Sequence, residues 1–156
     1  MKRLMSLMLT LSLMLTLAAC SPNRGKAPFQ VTLTDSLLTS DAFSEPLEAL
    51  EAEIAWMLYG LEDAGIAPEL LTDLRAYRSA GATCEEVAVF LFSEEAAAQT
   101  ALNTLQFYLD AQIQTNKDYR PAEVPKLEQA LLERRDATVL LLVANNYEAA
   151  YELLNP

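Results

Sequence analysis

The run Glu86-Val-Ala-Val-Phe-Leu-Phe92 constrains this chain more than any other feature. From Val87 onward every position is apolar, with no polar alternation, so both faces of the segment must be hidden. A strand of that kind sits in the middle of a sheet that is covered on each side. Thr138-Val-Leu-Leu-Leu-Val-Ala144 has the same character. Ala130 to Arg134 reads as a strand just before it, and a turn at Arg135-Asp136 would join the two as an antiparallel hairpin. Asp73 to Arg78 alternates weakly, as an edge strand does, and Gly81 ends it.

Helical spacing occupies the intervening segments. Ser44 is placed to cap a helix with Pro46 in its first turn, where a missing N–H costs nothing. Leu47, Leu50, Ile54, Met57 or Leu58, and Leu61 then recur on one side, and Gly60 or Gly65 would stop it. Glu45, Glu48, Glu51 and Glu53 fill the remainder, a face that reads either as solvated acids near a helix start or as a cation-binding surface. Pro68 opens a short turn or helix. Ser93, Glu94 and Glu95 start a long helix running to about Lys117, with Ala98, Leu102, Leu105, Leu109 and Ile113 as its apolar stripe. Pro121 and Pro125 mark a loop with one helical turn through Lys126 and Leu127. Asn145 or Asn146 caps a final helix whose Ala149, Ala150, Leu153 and Leu154 face inward. Strands joined by short turns and interrupted by helices indicate an α+β fold, with a small, largely antiparallel sheet of about four strands packed with three helices.

The amino-terminal segment gives an address. Lys2 and Arg3 precede an uncharged run from Leu4 to Leu17, which ends in the small residues Ala18 and Ala19. A basic start, a short apolar core and a small-residue cleavage site are the parts of a signal peptide. The run falls short of the roughly 20 residues a membrane-spanning helix needs. Leu17-Ala18-Ala19-Cys20 resembles the lipobox of bacterial lipoproteins. That resemblance implies that the Cys20 thiol receives a diacylglycerol, that cleavage leaves Cys20 as the first residue, and that the protein sits on the extracytoplasmic face of the cell membrane. Ser21 to Gln30, with two prolines, a glycine and two cations, has the composition of a flexible spacer. Arg24 and Lys26 either meet anionic headgroups or are simply solvated. The chain therefore divides into a signal peptide over 1–19, a lipidated cysteine and tether over 20–35, and one domain over 36–156.

A strand after "GATCEEVAVF", a long helix, Tyr119-x-Pro121 with "KLEQA", and a hairpin ending in "VLLLVANNYEAAYELL" resemble a clostridial lipoprotein family designated DUF4358, a domain of unknown function. The resemblance covers roughly residues 47–154 and the lipobox. Tyr119, Pro121, Lys126, Leu127 and Ala130 carry its most specific part, and Glu86 also matches. The chain departs from it at the hairpin, where Asp136 and Thr138 stand in place of a glycine and an aromatic residue. The resemblance implies an envelope lipoprotein of a Gram-positive anaerobe, and it brings no catalytic residues with it.

Composition limits the chemistry. The chain has no histidine, which removes serine and cysteine triads and every histidine-ligated metal site. Its four glycines form no phosphate cradle, and no calcium loop is present. No cofactor or metal is expected. Removing residues 1–19 takes away Lys2 and Arg3 and no acid, so the net charge moves from −11 to −13. A body this acidic without a basic cluster repels nucleic acid, whereas cationic peptides or metal ions remain conceivable partners. Once Cys20 is lipidated, Cys84 is the sole thiol; it reads as a small buried residue, its reactivity suppressed by the neighbouring glutamates. The pairs Glu85/Glu86, Glu94/Glu95 and Glu62/Asp63 read as solvated. Tyr119-Arg120-Pro121 is either a recognition loop or a structural anchor in which Tyr119 covers the helix end. Trp56 and Tyr59 read as core or half-buried, and any aromatic patch is to be sought among Trp56, Tyr59, Tyr108, Tyr119, Tyr147 and Tyr151. The expectation is a non-catalytic binding or interaction module that meets an envelope protein. The alternative is a carboxylate-dependent enzyme acting on envelope material.

Overall fold

The computed structural model describes residues 26–154. The signal peptide over 1–19, with Leu17, Ala18 and Ala19 of the lipobox, lies outside the described residues, as do Cys20 and Arg24.

The two apolar runs are the paired centre of the sheet. Strands β1 (Glu48–Leu50), β2 (Leu71–Arg78), β3 (Glu86–Phe92), β4 (Leu131–Arg135) and β5 (Thr138–Val143) lie in the order β1-β2-β3-β5-β4, and every neighbouring pair is antiparallel. Successive side chains of a strand point to opposite faces. Ala88, Phe90, Val139 and Leu141 thus enter one core and Val87, Val89, Leu140 and Leu142 the other, all at 0 % exposure. The first core is closed by α2 (Ala52–Leu58), α3 (Glu95–Tyr119) and α4 (Val124–Glu128). The second is closed by α1 (Leu33–Leu38), α5 (Tyr147–Leu154) and the chain around Phe29. The α+β class and the antiparallel sheet follow the sequence reading, with five strands and five α-helices among the described residues in place of about four and three.

The expected helix from Ser44 is the main departure. Its first turns are β1, whose Glu48 and Leu50 pair with Arg78 and Ala76, and the helix begins only at Ala52. Ser44 does not cap it, because its N–H and hydroxyl both bind the Glu85 carboxylate. Helical propensity yields here to a ladder that covers the outer side of β2. Consequently β2 is not an edge strand. With its start moved to Ala52, the helix buries Ala55 and Trp56 and turns Ile54 outward.

The spacer expected over 20–35 also gives way, among the described residues, to packed structure. Phe29 is buried, its N–H donates to Thr138 Oγ1 at 2.9 Å, and the Arg135 guanidinium lies 4.1 Å from its ring centroid. Leu37 of α1 is fully buried against the same face. Apolar residues at 29, 31, 33 and 37 supply the cover that the all-apolar central strands demand.

The hairpin turn comprises Asp136 and Ala137, one residue later than read from the sequence, since Arg135 pairs with Thr138. Asp136 has φ +50°, the left-handed region where glycine is usual. At α5, Asn146 Oδ1 accepts from the N–H of Ala149, so Asn146 is the cap.

Candidate functional site

The sequence reading leaves Glu85 and Glu86 in solvent; the structure buries both. Glu86 starts β3 at the rim of the sheet and Glu85 directly precedes it in extended chain, so their side chains go to opposite faces, Glu86 into the helix-α3 core and Glu85 the other way.

Glu86 is 1 % exposed. Its Oε2 accepts from Tyr108 Oη at 3.0 Å and Tyr59 Oη at 3.2 Å, and lies 3.1 Å from Arg78 Nε. Burial raises its pKa to about 7, against the opposing pull of Arg78 and the two tyrosines. Burial, followed by the nearby Glu86 charge, pushes both tyrosines upward as well. The Tyr59 ring packs edge-on to Phe90 at 5.5 Å and to Tyr108 at 5.0 Å, which fixes both hydroxyls.

Glu85 is 0 % exposed and is held by Ser44 and by Lys126 Nζ at 2.7 Å. Lys126 also meets Glu123 at 3.2 Å, and Glu123 in turn accepts the Cys84 N–H at 2.9 Å. These contacts raise the Lys126 pKa in spite of burial. Arg120 donates to the carbonyls of Gly81 and Thr83, each at 3.0 Å, and to Asn116 Oδ1 at 2.9 Å. Tyr147 donates to the Lys126 carbonyl at 2.9 Å. The segment from Arg120 to Leu127 is therefore a clasp around the entry to β3. Arg120 is its anchor. Tyr119, expected to cover the helix end, is 79 % exposed.

Burial raises the Cys84 pKa, with Glu123 and Glu86 adding and Arg120 opposing, so the thiolate is disfavoured chiefly by desolvation rather than by its adjacent glutamates. Among the described residues, no group of three or more Cys, Asp or Glu side chains is placed to hold a metal ion. No described helix is long and apolar enough to cross a membrane.

The six aromatic residues singled out from the sequence do not form one surface. Trp56 and Tyr59 are buried, Tyr108 and Tyr147 are half-buried, and Tyr147 and Tyr151 belong to the far face of the sheet. Tyr119 and Tyr151 are exposed but lie apart from one another, and the remaining exposed large apolar residues are Ile54 (49 %), Met57 (50 %) and Phe107 (75 %). Phe107 falls outside the apolar stripe of α3, a signal that the sequence does contain. Helix α2 forms a ridge between two hollows. One, of 280 Å³, is lined by Leu58, Tyr59, Gly60, Thr104, Phe107 and Tyr108. The other, of 390 Å³, lies beside Trp56, Met57, Glu53, Glu62 and Pro68. Gly60 makes the junction by ending α2 with φ +72°, while Leu61 N–H reaches back to the Trp56 carbonyl.

No curated protein and no solved structure gives a significant match to this chain. The model of one family does, over residues 44–144, which span β1 through β5 and the whole clasp around Glu85 and Glu86. The chain belongs to DUF4358, a domain of unknown function.

Proposed function

We propose that this protein is a lipoprotein, anchored through Cys20 to the extracytoplasmic face of the cell membrane, whose domain is a non-catalytic binding module for an envelope protein. The anchor is supported by the basic start, short apolar run and Leu17-Ala18-Ala19-Cys20 order. The binding role is carried by one contrast in the structure. The buried carboxylates Glu85 and Glu86 are engaged by internal partners, while Ile54, Met57 and Phe107 are exposed, the last two lining open hollows. Burial of that kind serves rigidity, and exposed apolar side chains of that size serve contact.

Two measurements test the reading. Cells fed labelled fatty acid should label the wild-type protein and leave Cys20→Ser unlabelled and uncleaved; label on the variant would refute the anchor. The wild-type mature protein should be open to protease on intact cells and show no turnover on envelope polymers. Turnover abolished by changing one carboxylate pair, with melting temperature unchanged, would refute the non-catalytic reading in favour of the carboxylate enzyme.

A further inference from the structure

The face built from α2, the loop that follows it and α3 is supplied by sequence with almost no cations. Residues 27–74 contain no lysine or arginine, and neither do residues 79–116. All of α2 lies in the first stretch, and α3 lies in the second as far as Asn116. On this face Ile54, Met57 and Phe107 are exposed, with Met57 lining the larger hollow and Phe107 the smaller. Around them the charged groups are of one sign: Glu53 and Glu62 line the larger hollow, and Glu51 and Asp63, both exposed, neighbour them in sequence. The nearest strand arginines are already engaged, Arg78 by Glu86 and Arg75 by Asp35. An apolar centre with a polar rim is the anatomy of a contact surface, and a rim of one charge selects its opposite.

We propose that the α2–α3 face docks a basic amphipathic helix of a partner protein. The helix would lay its apolar stripe over Ile54, Met57 and Phe107, place side chains in the two hollows, and set lysines or arginines against Glu51, Glu53 and Glu62. A second copy of this chain does not fit, because it would bring the same acidic rim and the same negative net charge to the contact. The proposal rests on the reading of the domain as a binding module, and it names the surface and the chemistry of what binds.

Trp56 is the only tryptophan in the chain and walls the larger hollow, so it reports occupancy directly. The lipidated mature protein in nonionic detergent is titrated with a tryptophan-free Lys/Leu amphipathic peptide of about 18 residues, long enough to cover both hollows. Trp56 emission should change saturably and the response should weaken with salt. Met57→Glu and Phe107→Ser should each weaken binding at least about tenfold with melting temperature unchanged. A Glu/Leu peptide of the same apolar pattern should leave Trp56 unmoved. Equal responses to the two peptides, or full binding by both variants, would overturn the proposal. In intact cells, a photo-crosslinking side chain at Phe107 should capture a basic amphipathic segment, whereas one at Tyr151, on the far side of the sheet, should not. Adducts from position 151 alone would overturn this surface and leave the binding module standing; adducts from neither position would overturn both.

Discussion

Glu86 makes a quantitative prediction about stability and pH. Its carboxyl, 1 % exposed, has its pKa raised from the ordinary 4.5 to about 7, mainly by burial. The native state therefore keeps the Glu86 proton over a range in which the unfolded chain has released it, so stability falls as pH rises from about 4.5 to about 7. Each pH unit within that window removes about 1.4 kcal/mol, which amounts to about 3 kcal/mol across it. For a domain of this size that is roughly 10 °C in melting temperature. The absence of histidine leaves the window uncluttered. Glu45, lowered by hydrogen bonds from Ser79 and Thr83, and Glu133, lowered by Arg135 and Lys26 against its own burial, contribute in the opposite sense and only at more acid pH. Stability should thus peak near pH 5. Thermal unfolding of the full mature protein, followed by Trp56 fluorescence from pH 4.5 to 8, measures the slope. In Glu86→Gln the slope between pH 5 and 7 should be nearly flat, because the neutral amide has no proton to release across that range. A wild-type stability that rises across this interval, or an unchanged slope in Glu86→Gln, would refute the reasoning.

Three further predictions concern the frame of the domain. Phe90→Ala should cost about 3–5 kcal/mol in denaturant unfolding, because the ring is fully enclosed between Tyr59 and the sheet; a loss below about 1 kcal/mol would show that the core refills the space. Lys126→Met should cost about 3 kcal/mol or more, since it strands the Glu85 carboxylate, at 0 % exposure, with only Ser44 to bind it. Asp136→Gly should be neutral or stabilise by up to about 1 kcal/mol, as the φ of +50° is released from its side-chain penalty; clear destabilisation in the same assay would mean that the Asp136 side chain holds the turn.

The parts legible in the sequence are those where one physical signal acts alone. Val87 to Phe92 and Thr138 to Val143 are apolar at nearly every position, and no arrangement other than the covered centre of a sheet suits them. The stripe of α3 was equally plain, with Ala98, Leu105 and Leu109 buried. Reading failed where local and distant demands compete. Residues 44–51 carry a good cap, a proline and helical spacing, yet Ser44 is taken by Glu85, distant in sequence, and Glu48–Leu50 is claimed by the open side of β2. Phe29 falls in the segment that reads as a spacer because the face it covers exists only once β3 and β5 have paired. Adjacent acids ordinarily mean solvent, and only the partners Arg78, Tyr59, Tyr108 and Lys126, scattered along the chain, make Glu85 and Glu86 tolerable inside. The acidic rim around α2 was visible as composition, but its apolar centre depended on where that helix begins.

The packing of Phe29 onto Thr138 and Arg135 has a mechanical consequence under the proposed anchoring. Phe29 is the ninth residue after Cys20, so the leash between lipid and fold reaches at most about 30 Å when fully drawn out. Tension on it would enter the domain at the hairpin between β4 and β5, where Lys26 pairs with Glu133, the Ala27 carbonyl accepts from Arg135, and Phe29 meets Thr138 and Arg135. Anchored so, the body would swing about that corner, with the hairpin nearest the bilayer. The opposite rim of the sheet, where Glu85 and Glu86 are clasped, is carried at the outer end of the arc.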